Sequence, residues 1–160
     1  MKTTACDEPR WLDDDEQMSW RAFLRGTATL LDLINKDMED DNGLALNEYE
    51  VLVHLSEAEG HVLRMSHLAE NLVHSRSRLT HTVRRLESEG YVERFRCADD
   101  RRGINCKLTK AGFKKLQKSA PSHVESVRRH FIDLISKEEL VELGRINSKF
   151  IVEHKETEED

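Results

Sequence analysis

The sequence has 160 residues, 35% of them charged, and a formal net charge of −6. This length fits one domain, or one compact domain with helical extensions. No apolar run approaches the roughly 20 residues of a membrane-spanning helix, and residues 1–9 lack the apolar centre of a secretory signal. The three cysteines Cys6, Cys97 and Cys106, with no Cys-x-x-Cys pair, do not make a disulfide framework, which agrees with a reducing compartment. We therefore expect a cytoplasmic protein.

The positive charge is concentrated in one part of the chain. Residues 64–110 contain eleven Lys or Arg and six Asp or Glu, a balance of +5, so the remainder carries −11. Within that block, segment 75–103 has eight arginines and no lysine. A concentrated basic block inside an acidic protein indicates a surface that attracts a polyanion.

Apolar residues three and four apart predict a long first helix over residues 20–38 and a shorter one over 48–56, with Asn47 as the candidate N-cap of the second. A pair of helices over 65–72 and 75–89 follows. Ser75 is the candidate N-cap of the later helix, and a glycine at position 90 suits a left-handed C-cap. Two short helices separated by about three residues predict a helix-turn-helix.

Beyond this pair the apolar pattern alternates, which predicts a two-stranded hairpin with a charged tip at residues 99–103. Thr109 is placed to cap the next helix, which we expect to continue past Pro121 to residue 135 with a kink or a restart. Ser136 and Glu139 have the spacing of a capping box for a last helix.

The helix over 75–89 is expected to turn its apolar stripe to the core and a basic, polar face outward. An α-helix fits the major groove of DNA, where arginine pairs with guanine through two hydrogen bonds. A solvated helix face is the alternative, but such a face ordinarily includes lysine, whereas the planar guanidinium suits bases and phosphates. The outward residues are Arg76, Ser77, Arg78, Thr80, His81, Arg84 and Arg85.

The hairpin tip offers a second contact with DNA. Arg101 and Arg102 in a narrow loop suit an adjacent minor groove, where negative potential attracts arginine. Asp99 or Asp100 is placed to fix their conformations.

Two stretches resemble the winged helix-turn-helix regulators of the MarR family. They are SRSRLTHTVRRLESEGYVER (75–94) and DRRGINCKLTKAG (100–112), and the second fits the family's Asp-x-Arg, Leu-Thr, Gly pattern of the wing. The order of predicted helices extends the resemblance over residues 20–150. One departure is the stretch GLALNEY, which offers Ala45 where the family often has a Ser or Thr cap.

The resemblance implies a mainly α fold with a small β-hairpin wing. It divides the chain into an N-terminal extension and dimerisation helix (1–43), a winged helix-turn-helix region (44–110), and C-terminal dimerisation helices with an acidic tail (111–160). The apolar stripes at both chain ends independently indicate a homodimer, because one small winged module does not cover them.

The function that the resemblance implies is sequence-specific regulation of transcription through double-stranded DNA. We expect a repressor of a palindromic operator that is released by a small aromatic or phenolic effector, without a cofactor. The major groove would be read by Ser75, Arg76, Ser77, Arg78, Thr80, His81 and Arg84, with Arg85 beside them. Arg102, supported by Asp100 and next to Arg101, would enter the minor groove.

The effector site is less defined by the sequence. Trp20, Phe23, Tyr49 and His54 are candidate lining residues, although core packing explains them equally well. Cys97 and Cys106 would face each other across the hairpin if its turn comprised only residues 101–102. They are the candidates for an alternative redox-sensing mechanism, but strand cysteines are more often small buried apolar residues.

Two other classes of function compete with a regulator. An enzyme is not expected, because the chain has no nucleophile elbow, phosphate-binding glycine loop or zinc-protease spacing. No metal site is expected either, since the histidines form no clustered ligand set. A helical dimer that binds an acidic protein remains an alternative, and the salt dependence of DNA binding distinguishes it from a regulator.

Overall fold

The computed structural model of the protein describes residues 9–72, 76–97 and 102–156, with the backbone alone for residue 76 and residues 152–156. The helices in these ranges are α1 (Asp14–Asn42), α2 (Leu46–Glu57), α3 (Met65–Leu72), α4 (Arg76–Ser88), α5 (Lys110–His130) and α6 (Lys137–Glu156). The strands are β1 (Val62–Arg64), β2 (Val92–Arg96) and β3 (Ile104–Leu108). The predicted fold class, mainly α with a small β wing, is confirmed. Among the described helices, none combines the length and the apolar character needed to cross a membrane.

The main core lies between α2, α3, α4 and the sheet. On α4, Leu79, Val83 and Leu86 follow one another at steps of four and three, and each is at most 1% exposed. They belong to the same cluster as Leu52 of α2 and Leu68 of α3, which are fully buried. Because this stripe fixes which side of α4 faces inward, the opposite side faces solvent.

The three strands form one antiparallel sheet in the order β1, β3, β2. Leu63 pairs with Cys106, and Val92 pairs with Leu108. The sequence pattern predicted the hairpin of β2 and β3, which is confirmed, but not β1. A strand of three residues is too short for an alternating pattern, and its partner is more than forty residues away in the chain.

The hairpin connection is longer than predicted. Arg96 pairs with Ile104 at the end of the ladder, and the Cys97 backbone N–H donates to the Gly103 carbonyl at 3.0 Å. Cys106 pairs with Arg94, three residues before Cys97. The prediction that the two cysteines face each other is therefore wrong. It assumed a turn of only two residues, whereas residues 97–103 connect the strands.

Two helices begin earlier than predicted, α1 at a capping box and α2 without a side-chain cap. At α1, Glu16 N–H donates to the Asp13 carboxylate at 2.8 Å, and Asp13 N–H donates to the Glu16 carboxylate at 3.0 Å. At α2, the predicted cap Asn47 is wrong, since the helix starts at Leu46. Asn47 Oδ1 still accepts the Glu48 N–H at 3.0 Å, from inside the helix. The Leu46 N–H is satisfied by Asn35 of α1.

The later helix boundaries mostly agree with the sequence. The Gly112 N–H donates to Thr109 Oγ1 at 3.0 Å, and Ser136 and Glu139 form both bonds of a capping box, which confirms these caps. Gly90 has a φ of 76°, so the left-handed end of α4 is also confirmed. Helix α5 runs without interruption through Pro121 but ends at His130, short of the predicted residue 135.

Helix α1 packs along α5, and polar contacts fasten its C-terminal half. Asp37 accepts hydrogen bonds from Ser126 Oγ at 2.7 Å and from the Arg129 guanidinium at 3.1 Å, and its carboxylate lies 2.8 Å from His130 Nε2. These bonds, chiefly the one from Ser126, hold the pKa of Asp37 below its usual value despite the opposing effect of desolvation. The N-terminal half of α1 is different, because its apolar side chains remain exposed.

Candidate nucleic-acid interface

The outward face of α4 is the centre of the candidate interface. Ser77, Arg78, His81 and Arg84 are exposed, and Thr80 is half-buried. They recur along the helix opposite the stripe that Leu79, Val83 and Leu86 bury. A helix of 13 residues therefore presents a polar, arginine-bearing ridge about 20 Å long to solvent.

Four of the predicted DNA contacts are not settled by this geometry. Ser75, Asp100 and Arg101 lie outside the described residues, and so does the side chain of Arg76, whose backbone opens α4. The remaining candidates, on α4 and at Arg102 of the wing, are described, so the interface rests on them.

Arg85 differs from the other arginines of α4. Its Nε lies 3.1 Å from Oε1 of Glu48, a residue of α2 that is only 3% exposed. The other oxygen of that carboxylate accepts the Ala45 N–H at 2.9 Å. Arg85 thus lies on the flank of α4 that faces α2, a placement that the helical pattern alone did not distinguish from the outward face.

A second contact joins the same two helices. Asn47 Nδ2 donates to Thr82 Oγ1 at 3.0 Å, and Thr82 Oγ1 donates to the carbonyl of Arg78 at 3.1 Å. Thr82 is buried, at 3% exposed. Both of its hydrogen-bonding functions are therefore used within the protein.

The wing is fixed to α4 by an arginine fork. The Arg94 side chain of β2 donates to Glu87 Oε2 from Nε at 3.1 Å and from a terminal nitrogen at 2.7 Å, and the Arg94 backbone N–H donates to Glu87 Oε1 at 3.1 Å. The bond from Arg94 is the main cause that lowers the pKa of Glu87. Arg94, one of the eight clustered arginines, therefore connects the wing to the helix.

A groove of about 300 Å³ separates α4 from the wing. It is bordered by Arg102, Gly103 and Ile104 of the wing, by Leu79 and Thr80 of α4, and by Arg64, Met65 and Ser66 where β1 meets α3. Arg64 and Ser66 were not among the predicted contacts, although Arg64 opens the basic block. Their position follows from β1, which brings Arg64 opposite Asn105 and beside the wing.

The four predicted effector residues fall into separate groups. Trp20 stacks on Phe23 with ring centroids 6.1 Å apart, near the N-terminal end of α1. Tyr49 packs on His123 of α5 at 4.3 Å, next to Ser122, which Asn42 binds at the other end of α1. Trp20 and Asn42 are 22 residues apart on α1, which corresponds to about 33 Å along the helix. One protomer therefore does not bring the four residues together.

Tyr49 and His123 form the more buried group, and desolvation shifts both titrations. Burial raises the pKa of the Tyr49 hydroxyl and lowers the pKa of the His123 imidazole, so both groups favour their neutral forms. His54, the fourth predicted effector residue, is half-buried on α2.

The wing cysteines have different environments. Cys106 is fully buried, and desolvation raises the pKa of its thiol to about 12, which disfavours the reactive thiolate. Cys97 is half-buried, and its thiol donates to the Asn105 side-chain oxygen at 3.1 Å. Cys97 lies three residues beyond Arg94, the residue that pairs with Cys106. Three residues span about 10 Å along a strand, which is beyond the reach of a disulfide.

Known proteins agree with this architecture. A family model described as the MarR family matches residues 44–104. AbsC, a MarR family transcriptional regulator from Streptomyces coelicolor, is 46% identical, with a TM-score of 0.82 over 93% of this chain and 99% of its own. The chain belongs to the MarR family. A second MarR-family regulator of S. coelicolor, Sco3205, whose structure was solved in complex with DNA, is 38% identical, with a TM-score of 0.85 and 92% of each chain covered.

A curated relative extends the comparison to another organism. The HTH-type transcriptional regulator PecS of Dickeya dadantii (strain 3937) is 28% identical over 113 residues, which cover 68% of this chain and 68% of PecS. The resemblance in the sequence is thus confirmed, and the residues matched by the MarR family model include α2, α3, α4 and β2.

Proposed function

We propose that this MarR-family protein is a sequence-specific DNA-binding regulator of transcription that acts as a homodimer. The observation that carries the proposal is the outward face of α4, where arginines and small polar side chains lie opposite a fully buried apolar stripe. The likeness to Sco3205, which was solved with DNA, supports it.

In this proposal α4 lies in the major groove. Arg78 and Arg84 contact base edges or phosphates, and Ser77, Thr80 and His81 add shorter polar contacts. The exposed Arg102, with Asp100 and Arg101 beside it in the chain, contacts the adjacent minor groove. Arg64 at the end of β1 and Ser66 in the first turn of α3 border the groove between these elements and are assigned to the phosphate backbone.

The homodimer is supported by apolar surface at both ends of the chain. Trp20 is 51% exposed on α1 and Phe150 is 50% exposed on α6, and Phe23 lies between them with its ring centroid 6.5 Å from that of Phe150. Covering such large apolar side chains with a second copy removes them from water and so favours association. A two-fold axis then places two α4 helices about one helical turn of DNA apart.

We further propose that the protein represses transcription and that repression ends when a small aromatic or phenolic molecule binds. It rests on the family resemblance. Release requires that the effector binds the DNA-free conformation more tightly than the DNA-bound one. Addition of small aromatic acids or phenols to a protein–operator complex tests this step, because an effector should raise the apparent Kd for DNA.

The experiment that tests the proposal is selection of bound sequences from a random duplex pool. The selected duplex is then titrated with protein at several salt concentrations. We expect a palindrome bound by one dimer, with a steep loss of affinity as salt rises, because arginines displace counterions from several phosphates.

Two results oppose the proposal. Binding without any preferred sequence assigns the basic face to an architectural role. Absence of salt-dependent binding favours the helical protein-interaction dimer, for which an acidic protein replaces DNA.

A further inference from the structure

The first turn of α2 contacts the flank of α4 at two successive points. Asn47 donates to Thr82 at 3.0 Å, and the next residue, Glu48, pairs with Arg85 at 3.1 Å. Thr82 and Arg85 are three residues apart, so they lie one above the other on a single face of α4. Two points on one face fix both the rotation of the helix about its axis and its position along that axis.

Glu48 is an unusual residue for this position. Its side chain is only 4% exposed, whereas that of Arg85 is 58% exposed. Burial of a carboxylate is costly unless both oxygens are satisfied. Here Oε1 pairs with Arg85 and Oε2 accepts the Ala45 N–H, so the correct position of α4 is a condition for satisfying Glu48.

The same turn is also fastened to α1. The Leu46 N–H donates to the side-chain oxygen of Asn35 at 2.9 Å, eleven residues earlier in the chain. Asn35 therefore satisfies the first N–H of α2, a helix whose N-cap residue Ala45 has no side-chain acceptor. A continuous set of polar contacts leads from α1, through residues 45–48, to the flank of α4.

We propose that Asn47 and Glu48 are positioning residues that set the orientation of α4 for DNA, and that Arg85 serves this orientation rather than a DNA contact. The proposal rests on the proposed function and departs from the sequence-based assignment of Arg85. It predicts that the neighbouring arginines Arg84 and Arg85 affect DNA binding in different ways.

The first test compares Arg84→Ala with Arg85→Ala on the selected duplex. Both variants lose one positive charge per protomer, so they are matched in net charge. Loss of a phosphate contact at Arg84 lowers the slope of log Kd against log salt by roughly two per dimer. Arg85→Ala is expected to weaken binding roughly tenfold with an unchanged slope. An equal fall in slope for both variants overturns the assignment of Arg85.

The second test replaces one of the two acceptor oxygens of Glu48. Glu48→Gln makes each protomer more positive by one charge, which by itself favours DNA binding, yet we expect roughly tenfold weaker binding because the amide cannot satisfy both donors. Glu50→Gln, on the same helix, has the same change in charge and is expected to keep or slightly tighten binding. Weakening by both variants, or by neither, contradicts a positioning role for Glu48.

A double-mutant cycle connects the two residues. In the Glu48→Gln background, Arg85→Ala is expected to cause little further loss of affinity, because the contact is already broken. Independent effects that multiply oppose the proposal. Rescue is expected to be incomplete for Arg85→Lys, which restores the charge but not the planar Nε donor.

A final readout does not depend on DNA. Amide hydrogen exchange over α4 is expected to become roughly tenfold faster in Glu48→Gln, while exchange over α5 stays unchanged. Unchanged exchange over α4 overturns the positioning role, even if DNA binding is weaker. If the wild-type protein shows no salt-dependent DNA binding, the proposed function fails, and this measurement still decides whether Glu48 positions α4.

Discussion

The winged region and the terminal helices use the same apolar residue types in different ways. In the winged region Leu68 and Val83 are fully buried within a single chain. On the terminal helices Trp20 and Phe150 remain half exposed, and Val141 is 66% exposed. The winged region therefore buries its core within one chain, with Ile34 and Met38 of α1 contributing to it. The exposed side chains of the terminal helices instead present a surface that a second copy is proposed to cover.

The difference shows where recognition and assembly are located. The residues proposed to contact DNA lie on α4 and the wing, which the chain holds with its own core and with the Arg94–Glu87 fork. The residues proposed to form the dimer lie on α1 and α6. Changes in the winged region should thus alter folding or DNA binding, and changes at the chain ends should alter association.

The largest expected effect is at the junction between these regions. A Cβ at Gly112 would lie 2.0 Å from the Tyr91 carbonyl oxygen, so Gly112→Ala forces the start of α5 away from the wing. We expect a loss of about 3 kcal/mol or more in the free energy of unfolding. Gly26→Ala on α1, where a Cβ meets nothing within 4 Å, should instead stabilise by up to about 1 kcal/mol. Denaturant melts of both variants compare them, and equal stabilities contradict this packing.

The next comparison uses the same substitution in both regions. Leu52→Ala removes a fully buried side chain of α2 and should lower the free energy of unfolding by about 2–5 kcal/mol. Leu24→Ala acts on a side chain that is 47% exposed on α1, so its main effect should be a weaker dimer. Thermal melts at several protein concentrations and sedimentation measure both effects. A Leu24→Ala variant with unchanged association argues against the proposed surface.

The third comparison concerns DNA. Arg78→Ala should weaken binding to the selected duplex by about 1–3 kcal/mol, while the dimer and the melting temperature stay unchanged, because Arg78 is exposed on α4. Arg25→Ala on α1 carries the same change in charge and should have little effect. If Arg78→Ala prevents folding, the outward face of α4 is misassigned. If both variants lose the same affinity, the two arginines contribute only through their long-range charge and Arg78 makes no direct contact with DNA.

The smallest effect concerns acid stability of the wing. The pKa of Glu87 is lower in the folded protein, so this carboxylate binds protons less readily there than in the unfolded chain. Its contribution is present above the usual carboxyl pKa of about 4.3 and is lost as the pH falls through the lower folded value. Glu87→Gln should therefore cost about 1 kcal/mol at neutral pH and lose less stability on acidification than the wild type.

Glu93→Gln is the matched control for Glu87. Glu93 is 60% exposed and 4.0 Å from Lys107, and such a pair contributes little. Its melts between pH 7 and pH 3 should follow the wild type. The same acid dependence in wild type and Glu87→Gln contradicts a role for the Arg94 fork.

Local signals predicted much of this fold. Helix α3 was predicted with its observed bounds, and the caps at Thr109 and Ser136 were evident from their spacing. The start of α2 was not, because Asn35 and Glu48 satisfy its first N–H groups in place of a cap at Ala45. Strand β1 depends on pairing with residues far along the chain. Distant partners leave no local pattern.

The site was predictable to the same extent. The buried stripe of α4 indicated the outward face, and Arg78, His81 and Arg84 are exposed as expected. The direction of Arg85 depends on a buried acid of another helix, which no periodicity reveals. The positions of the wing cysteines depend on the length of the hairpin connection. Because this connection is longer than a two-residue turn, Cys106 pairs with Arg94 and not with Cys97.

Hydroxyl-radical footprinting of the selected duplex, bound to the full-length protein, tests the central claim most directly. Two α4 helices related by a two-fold axis should give two symmetric protected patches with centres about 34–36 Å apart, flanked by minor-groove protection from the wings. Protection of a single patch, or uniform weak protection along the duplex, would contradict a dimer that reads DNA through α4 and the wing.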